Sequence, residues 1–212
     1  MEDIVNKRMV SILVVILIIL GVGVHFYQQA ADQKEQAGKT ALYEVQKTYE
    51  TETTALPQAE RAPNAELDVD AKYPKTVSEL KKMLAEKKAP NSVLFEAAFK
   101  LGTLYLDHGQ TAQAVSALKE ITQFGKTDFQ KASGFYLLGM AQERAKQFQD
   151  AIASFQKGLK SDVSGMNGEF LLGMIRSHLK LNEKEKAKLY VEKLNQEFPG
   201  SAAARTAEEL MR

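Results

Sequence analysis

Residues Phe95–Ile121 read FEAAFKLGTLYLDHGQTAQAVSALKEI, and Ala132–Leu159 read ASGFYLLGMAQERAKQFQDAIASFQKGL. Laid over one another, they share a Leu-Gly pair inside a helical pattern, Leu101-Gly102 and Leu138-Gly139. An alanine follows each glycine by twelve residues, Ala114 and Ala151. The copies lie 37 residues apart. A third copy, GEFLLGMIRSHLKLNEKEKAKLYVEKLNQEFPGS, aligns through Ala187, 36 residues after Ala151, and ends at Pro199. Units of this length cannot bury an apolar face alone, so neighbours must stack. Glycine and alanine at fixed positions let the two helices of a unit close on each other, while Leu101, Leu138 and Phe155 fill the space around them. The third copy departs from this register: Ile175 takes the place of Gly102 and Gly139, and Gly173 comes two residues early.

The pattern resembles the tetratricopeptide repeat and implies an all-α solenoid of about three helix pairs with capping helices. Ser201–Arg212, SAAARTAEELMR, reads as a terminal helix that covers the open end of the stack. At the other end, Thr76-Val77-Ser78-Glu79 has the form of a capping box opening a helix to Lys88, with Leu80, Met83 and Leu84 on one face and Pro90 after it. The repeat domain is therefore expected over 76–212.

Toward the N-terminus, Pro57, Pro63 and Pro74 punctuate a poorly periodic stretch, so 57–75 is expected to be a linker loop. Residues 28–56 are expected to be a helix with Leu42, Val45 and Tyr49 at helical spacing and a break near Gly38. Met9–Val24, MVSILVVILIILGVGV, carries no charge, and His25, Phe26 and Tyr27 suit a membrane–water interface. As a helix, Met9 to Tyr27 would span roughly 28 Å, about one hydrocarbon core. An N-terminal transmembrane anchor at 9–27 is expected, rather than a cleaved signal, because no small-x-small site follows the run. Lys7 and Arg8 then place a short tail, 1–8, in the cytoplasm, and everything after Tyr27 in the periplasm of a bacterial inner-membrane protein.

Across 212 residues, 28 Lys and Arg balance 27 Asp and Glu, which argues against nucleic acid as a partner. With no cysteine, disulfides, thiol catalysis and cysteine zinc sites are excluded. The three histidines, His25, His108 and His178, have no ligand spacing. No nucleophile elbow, phosphate loop or calcium loop occurs, so neither catalysis, a cofactor, a metal nor a small-molecule substrate is expected. Asp68 and Asp70 read as part of a solvated linker, and Asn182–Lys188, NEKEKAK, as a solvent face.

Such repeats offer a concave surface built from the first helix of each pair. Taking Leu101, Leu138 and Met174 as equivalent core positions, the groove receives Phe99, Thr103 and Leu106, then Tyr136, Met140 and Arg144, then Leu172, Arg176 and Leu179. That is an apolar and aromatic floor with two arginines, suited to a peptide with hydrophobic side chains and an acceptor for arginine. On this reading, Tyr136→Ala with Arg176→Glu should abolish partner capture and leave the fold intact.

The outline, with Met9–Tyr27 followed by Phe95–Gln113, FEAAFKLGTLYLDHGQTAQ, resembles the YfgM-like family of ancillary subunits of the bacterial SecYEG translocon. The resemblance implies a membrane-anchored adaptor that binds exported polypeptides or periplasmic chaperones, with no catalytic residues to carry over. The competing readings are a structural scaffold holding a folded partner in a cell-envelope assembly, a cytosol-facing import receptor, and an enzyme dependent on a cofactor or second chain.

Overall fold

Each repeat copy becomes a pair of helices joined by a turn too short for anything but antiparallel packing. In the computed structural model, residues 2–61, 65–161 and 163–212 are described, with side chains from Leu20 onward except at Ser164. The chain runs α1 (Glu2–Ala55), a 3-10 turn at Gln58–Arg61, α2 (Val69–Lys72) and α3 (Pro74–Glu86). The repeats follow as α4 (Asn91–Asp107) with α5 (Thr111–Phe124), α6 (Asp128–Arg144) with α7 (Phe148–Leu159), and α8 (Ser164–Lys180) with α9 (Lys184–Glu197). Last comes α10 (Ala202–Met211), opened by Ser201, whose hydroxyl accepts from the Ala204 amide.

The small residues sit where the helices touch. A Cβ on Gly102 would lie 2.5 Å from Leu118, and one on Gly139 would enter the Phe155 ring. Ala114, Ala151 and Ala187 are completely buried. The third pair solves the same contact with a size exchange. Ile175 stands where Gly102 and Gly139 stand, and Val191 replaces the larger Leu118 and Phe155 at the facing position. Gly173 instead serves the joint to the previous pair, where a Cβ would lie 2.5 Å from Phe155. The turns inside the pairs repeat as well: Gly109, Lys146 and Asn182, at equivalent positions, all have left-handed backbone, with φ of 75°, 60° and 59°.

The repeat architecture begins before the three copies. Beyond Glu35, α1 runs alongside α4 in the same direction. Glu35 accepts from the Ser92 hydroxyl at 2.8 Å, Gln46 accepts from Lys100 at 2.9 Å, and a Cβ on Gly38 would meet Val93. α1 is therefore unbroken at Gly38, because the glycine gives room for α4. Leu42 and Val45 are buried against α3 and α4. The end of α1 and α3 thus form a further helix pair ahead of α4.

Among the described residues of 57–75, namely 57–61 and 65–75, the chain does not hang free between those helices. Pro74 lies in the first turn of α3, where its fixed φ suits a helix start. The start of α3 is not capped by Thr76 and Glu79: Glu52 of α1 reaches across, accepting from the Lys75 and Thr76 amides and the Thr76 hydroxyl at 2.9, 3.2 and 2.7 Å. Val69 and Tyr73 are buried. Asp68 caps α2, while Asp70 accepts from the Tyr105 hydroxyl at 2.8 Å and pairs with Lys81. Burial opposes ionisation of Asp70, but these hydrogen bonds outweigh it and hold its carboxyl below the usual range. His108 stacks on Tyr73, which stacks on Tyr49, tying the segment to the first turn of the repeats.

The N-terminal half of α1 corrects the expectation of a transmembrane anchor at 9–27 and with it a single-pass inner-membrane location. Among the described residues no helix is long and apolar enough to cross a membrane. From Gln28 the helix turns polar and exposed through Lys34. Met1, and the side chains of residues 2–19, lie outside the described residues.

Candidate functional site

The first helices of the pairs, α4, α6 and α8, present one face together, and two depressions open on it. The larger holds about 550 Å³ and is lined by Met140, Glu143 and Arg144 of α6, Phe148 of α7, Arg176, Leu179 and Lys180 of α8, and Leu210 of α10. The smaller, about 420 Å³, lies where α1, α3 and α4 meet and includes Val45, Tyr49, Leu80, Glu96, Phe99, Lys100, Thr103 and Asp107.

Four of the nine residues expected in the groove, Met140, Arg144, Arg176 and Leu179, thus converge on one depression, and Phe99 and Thr103 on the other. Leu106 and Leu172 are buried in the core instead, at 4% and 6% exposure. Tyr136 is half-buried between aromatic rings, 6.3 Å from Phe155 and 5.9 Å from Phe170, and burial pushes its phenol pKa up. It is a wall of the C-terminal core as much as a groove residue.

Both arginines carry internal bonds. Arg176 grips Glu143 with two hydrogen bonds, 2.6 and 3.3 Å, and the Ser177 hydroxyl adds a third donor to the same carboxylate at 3.1 Å. Arg144 donates to the Leu106 carbonyl at 2.9 Å, joining α6 to the end of α4, while the residue stays exposed. The expected silence of Tyr136→Ala with Arg176→Glu toward the fold does not follow from this geometry, since that change strips an aromatic contact and sets two carboxylates face to face.

Phe148, Lys180, Glu143 and Leu210 were missing from the sequence-based groove. Lys180 is one helical turn after Arg176, so the row was legible there. Leu210 is an exposed leucine on a terminal helix and enters only because α10 packs beside α8. Among the described residues no three His, Asp or Glu side chains converge in metal-ligand geometry. His178 is buried at the end of α8, with Nδ1 2.7 Å from a Glu183 oxygen and its ring stacked on Tyr190.

A family model described as the tetratricopeptide repeat matches residues 96–124 and 134–160, the first two pairs. The chain is 27% identical over 192 residues to the peptidyl-prolyl cis-trans isomerase FKBP4 of Homo sapiens, covering 84% of this chain and 41% of that one. The Bos taurus protein of the same name is 26% identical over 191 residues, with 84% and 40% covered. The chain spans about two fifths of the length of these curated relatives, and isomerase activity is a property of their names. Among solved structures, the crystal structure of MamA superposes with a TM-score of 0.50 at 24% identity, covering 66% of this chain and 80% of that one, a likeness of fold. The described residues form an all-helical chain that carries tetratricopeptide repeats at 96–124 and 134–160, a repeat that in general supports protein–protein interaction.

Proposed function

We propose that this protein is an adaptor that captures a peptide segment of a partner in the depression between α6, α8 and α10. One observation carries the reading: Met140, Phe148, Leu179 and Leu210, from four helices, leave apolar surface open around one cavity while cationic side chains rim it. Apolar anchors inside a polar rim are what a peptide-binding surface needs, because the anchors supply desolvation and the rim sets orientation. The internal bonds of Arg144 and Arg176 support the same reading, since a pre-set rim loses little entropy on binding.

The narrower proposal names the partners as exported polypeptides or their chaperones near the SecYEG translocon, supported by the resemblance over Phe95–Gln113. The test is Met140→Glu with Leu179→Glu in the full-length chain. Both side chains are partly exposed, so helicity and melting should stay near the parent's, while co-purification of translocon subunits or bound clients should fall at least tenfold. Undiminished co-purification would move the contact elsewhere. A single folded envelope protein in the eluate, without unfolded clients, would favour the scaffold reading.

A further inference from the structure

The two depressions differ in sign. At the smaller one the ionisable groups are Glu96, Asp107 and Lys100, and Lys100 is engaged with Gln46 at 2.9 Å. Glu96 and Asp107 are exposed, and among the described residues no ion pair holds either. At the larger one Glu143 is consumed by Arg176 and Ser177, which leaves the exposed Arg144 and Lys180 to set the sign.

The positions are equivalent. Asp107, Arg144 and Lys180 each stand in the last turn of the first helix of their pair, spaced by 37 and 36 residues. Along that rim the charge runs from negative at α4 to positive at α6 and α8. Basic side chains at helix C-termini also suit the helix dipole, but Asp107 at the end of α4 opposes it, so the dipole alone does not produce the series.

We infer that the concave face selects partners by charge polarity: a segment with a basic end over α1 and α4, apolar side chains between, and an acidic end over α6 and α8. This rests on the groove reading above. Two helix spacings separate α4 from α8, about 20 Å, which an extended chain covers in roughly six residues. Exposed ion pairs add modest affinity each, so the polarity acts mainly on choice among partners and on orientation.

The test uses the full-length chain and three fluorescein-labelled peptides that share one six-residue centre containing two leucines and a phenylalanine. Their ends carry two lysines and two glutamates, lysines at both ends, or glutamates at both ends. By fluorescence anisotropy at low salt, the lysine–glutamate peptide should bind about threefold to tenfold more tightly than either other. That advantage should shrink at high salt. Glu96→Lys with Asp107→Lys, both exposed positions, should pass the preference to the peptide with glutamates at both ends. Equal binding of all three peptides, unmoved by the charge reversal, would overturn the polarity while leaving peptide capture standing. If none of the three binds, the polarity and the groove reading fail together.

Discussion

The two ends of the concave face are built by different means. At the N-terminal end, α1 supplies the wall, and around the buried Leu42 and Val45 it adds a set of polar attachments: Glu52 on the start of α3, Glu35 on Ser92, Gln46 on Lys100. At the C-terminal end the cohesion is aromatic. Phe155 is fully buried between glycines of α6 and α8, Gly139 and Gly173, and Phe170 closes on Gly158 of α7. The apolar interior divides accordingly into one body reaching from Leu42 to Ala141 and another from Ala132 to Ala207. Polar attachments can be loosened singly, whereas an aromatic wedge fails at once.

Removing the wedge should break the comparison most severely. Phe155→Ala is expected to cost about 3–5 kcal/mol, because two facing glycines offer no side chain to collapse into the space. Hydrogen exchange should then show amides of α7 and α8 losing protection well before those of α4 and α5. Uniform loss along the chain would mean that the two bodies unfold as one.

Glu52→Ala tests the other end and should cost about 1–2 kcal/mol, since it leaves the α3 amides and the Thr76 hydroxyl without their charged acceptor. Thermal melting reads the size, and exchange at α3 reads the place. A loss no larger than that of an exposed neighbour such as Glu50→Ala would remove α1 from the repeat stack.

Asp70→Asn is the mildest of the three, about 1 kcal/mol, because the carboxylate is nearly half exposed and screened. Its pH dependence is the sharper readout. The folded pKa of Asp70 lies below its unfolded value, so its contribution is complete above the ordinary carboxylate pKa of about 4 and fades as pH falls through the folded value. The gap in melting temperature between Asp70→Asn and the parent should thus narrow in acid; a gap that widens would reverse the assignment.

How much of this was legible follows from where each signal resides. Gly102, Gly139, Ala114, Ala151 and Ala187 announced the pairs because close approach admits only small residues, and they set the register. The first pair was hidden because the segment between α1 and α3 stretches the spacing, and its prolines resemble those of a linker although Pro74 begins a helix. Glu52 could not be found as a cap, since its partners lie 23 and 24 residues away. In the groove, helical spacing grouped Met140, Arg144, Arg176 and Leu179, which line one depression. It could not foresee that Arg176 is spent on Glu143, or that α10 delivers Leu210, because both depend on how helices from different pairs meet.

The most direct measurement places a photo-crosslinking amino acid at Met140 in the full-length chain, with the same group at the exposed Leu189 of α9 as the opposite-face control. Partner adducts from position 140, absent at 189 and lost with Leu210→Glu, are the predicted result. Adducts from 189 with none from 140 would contradict the account and move the interaction off the concave face.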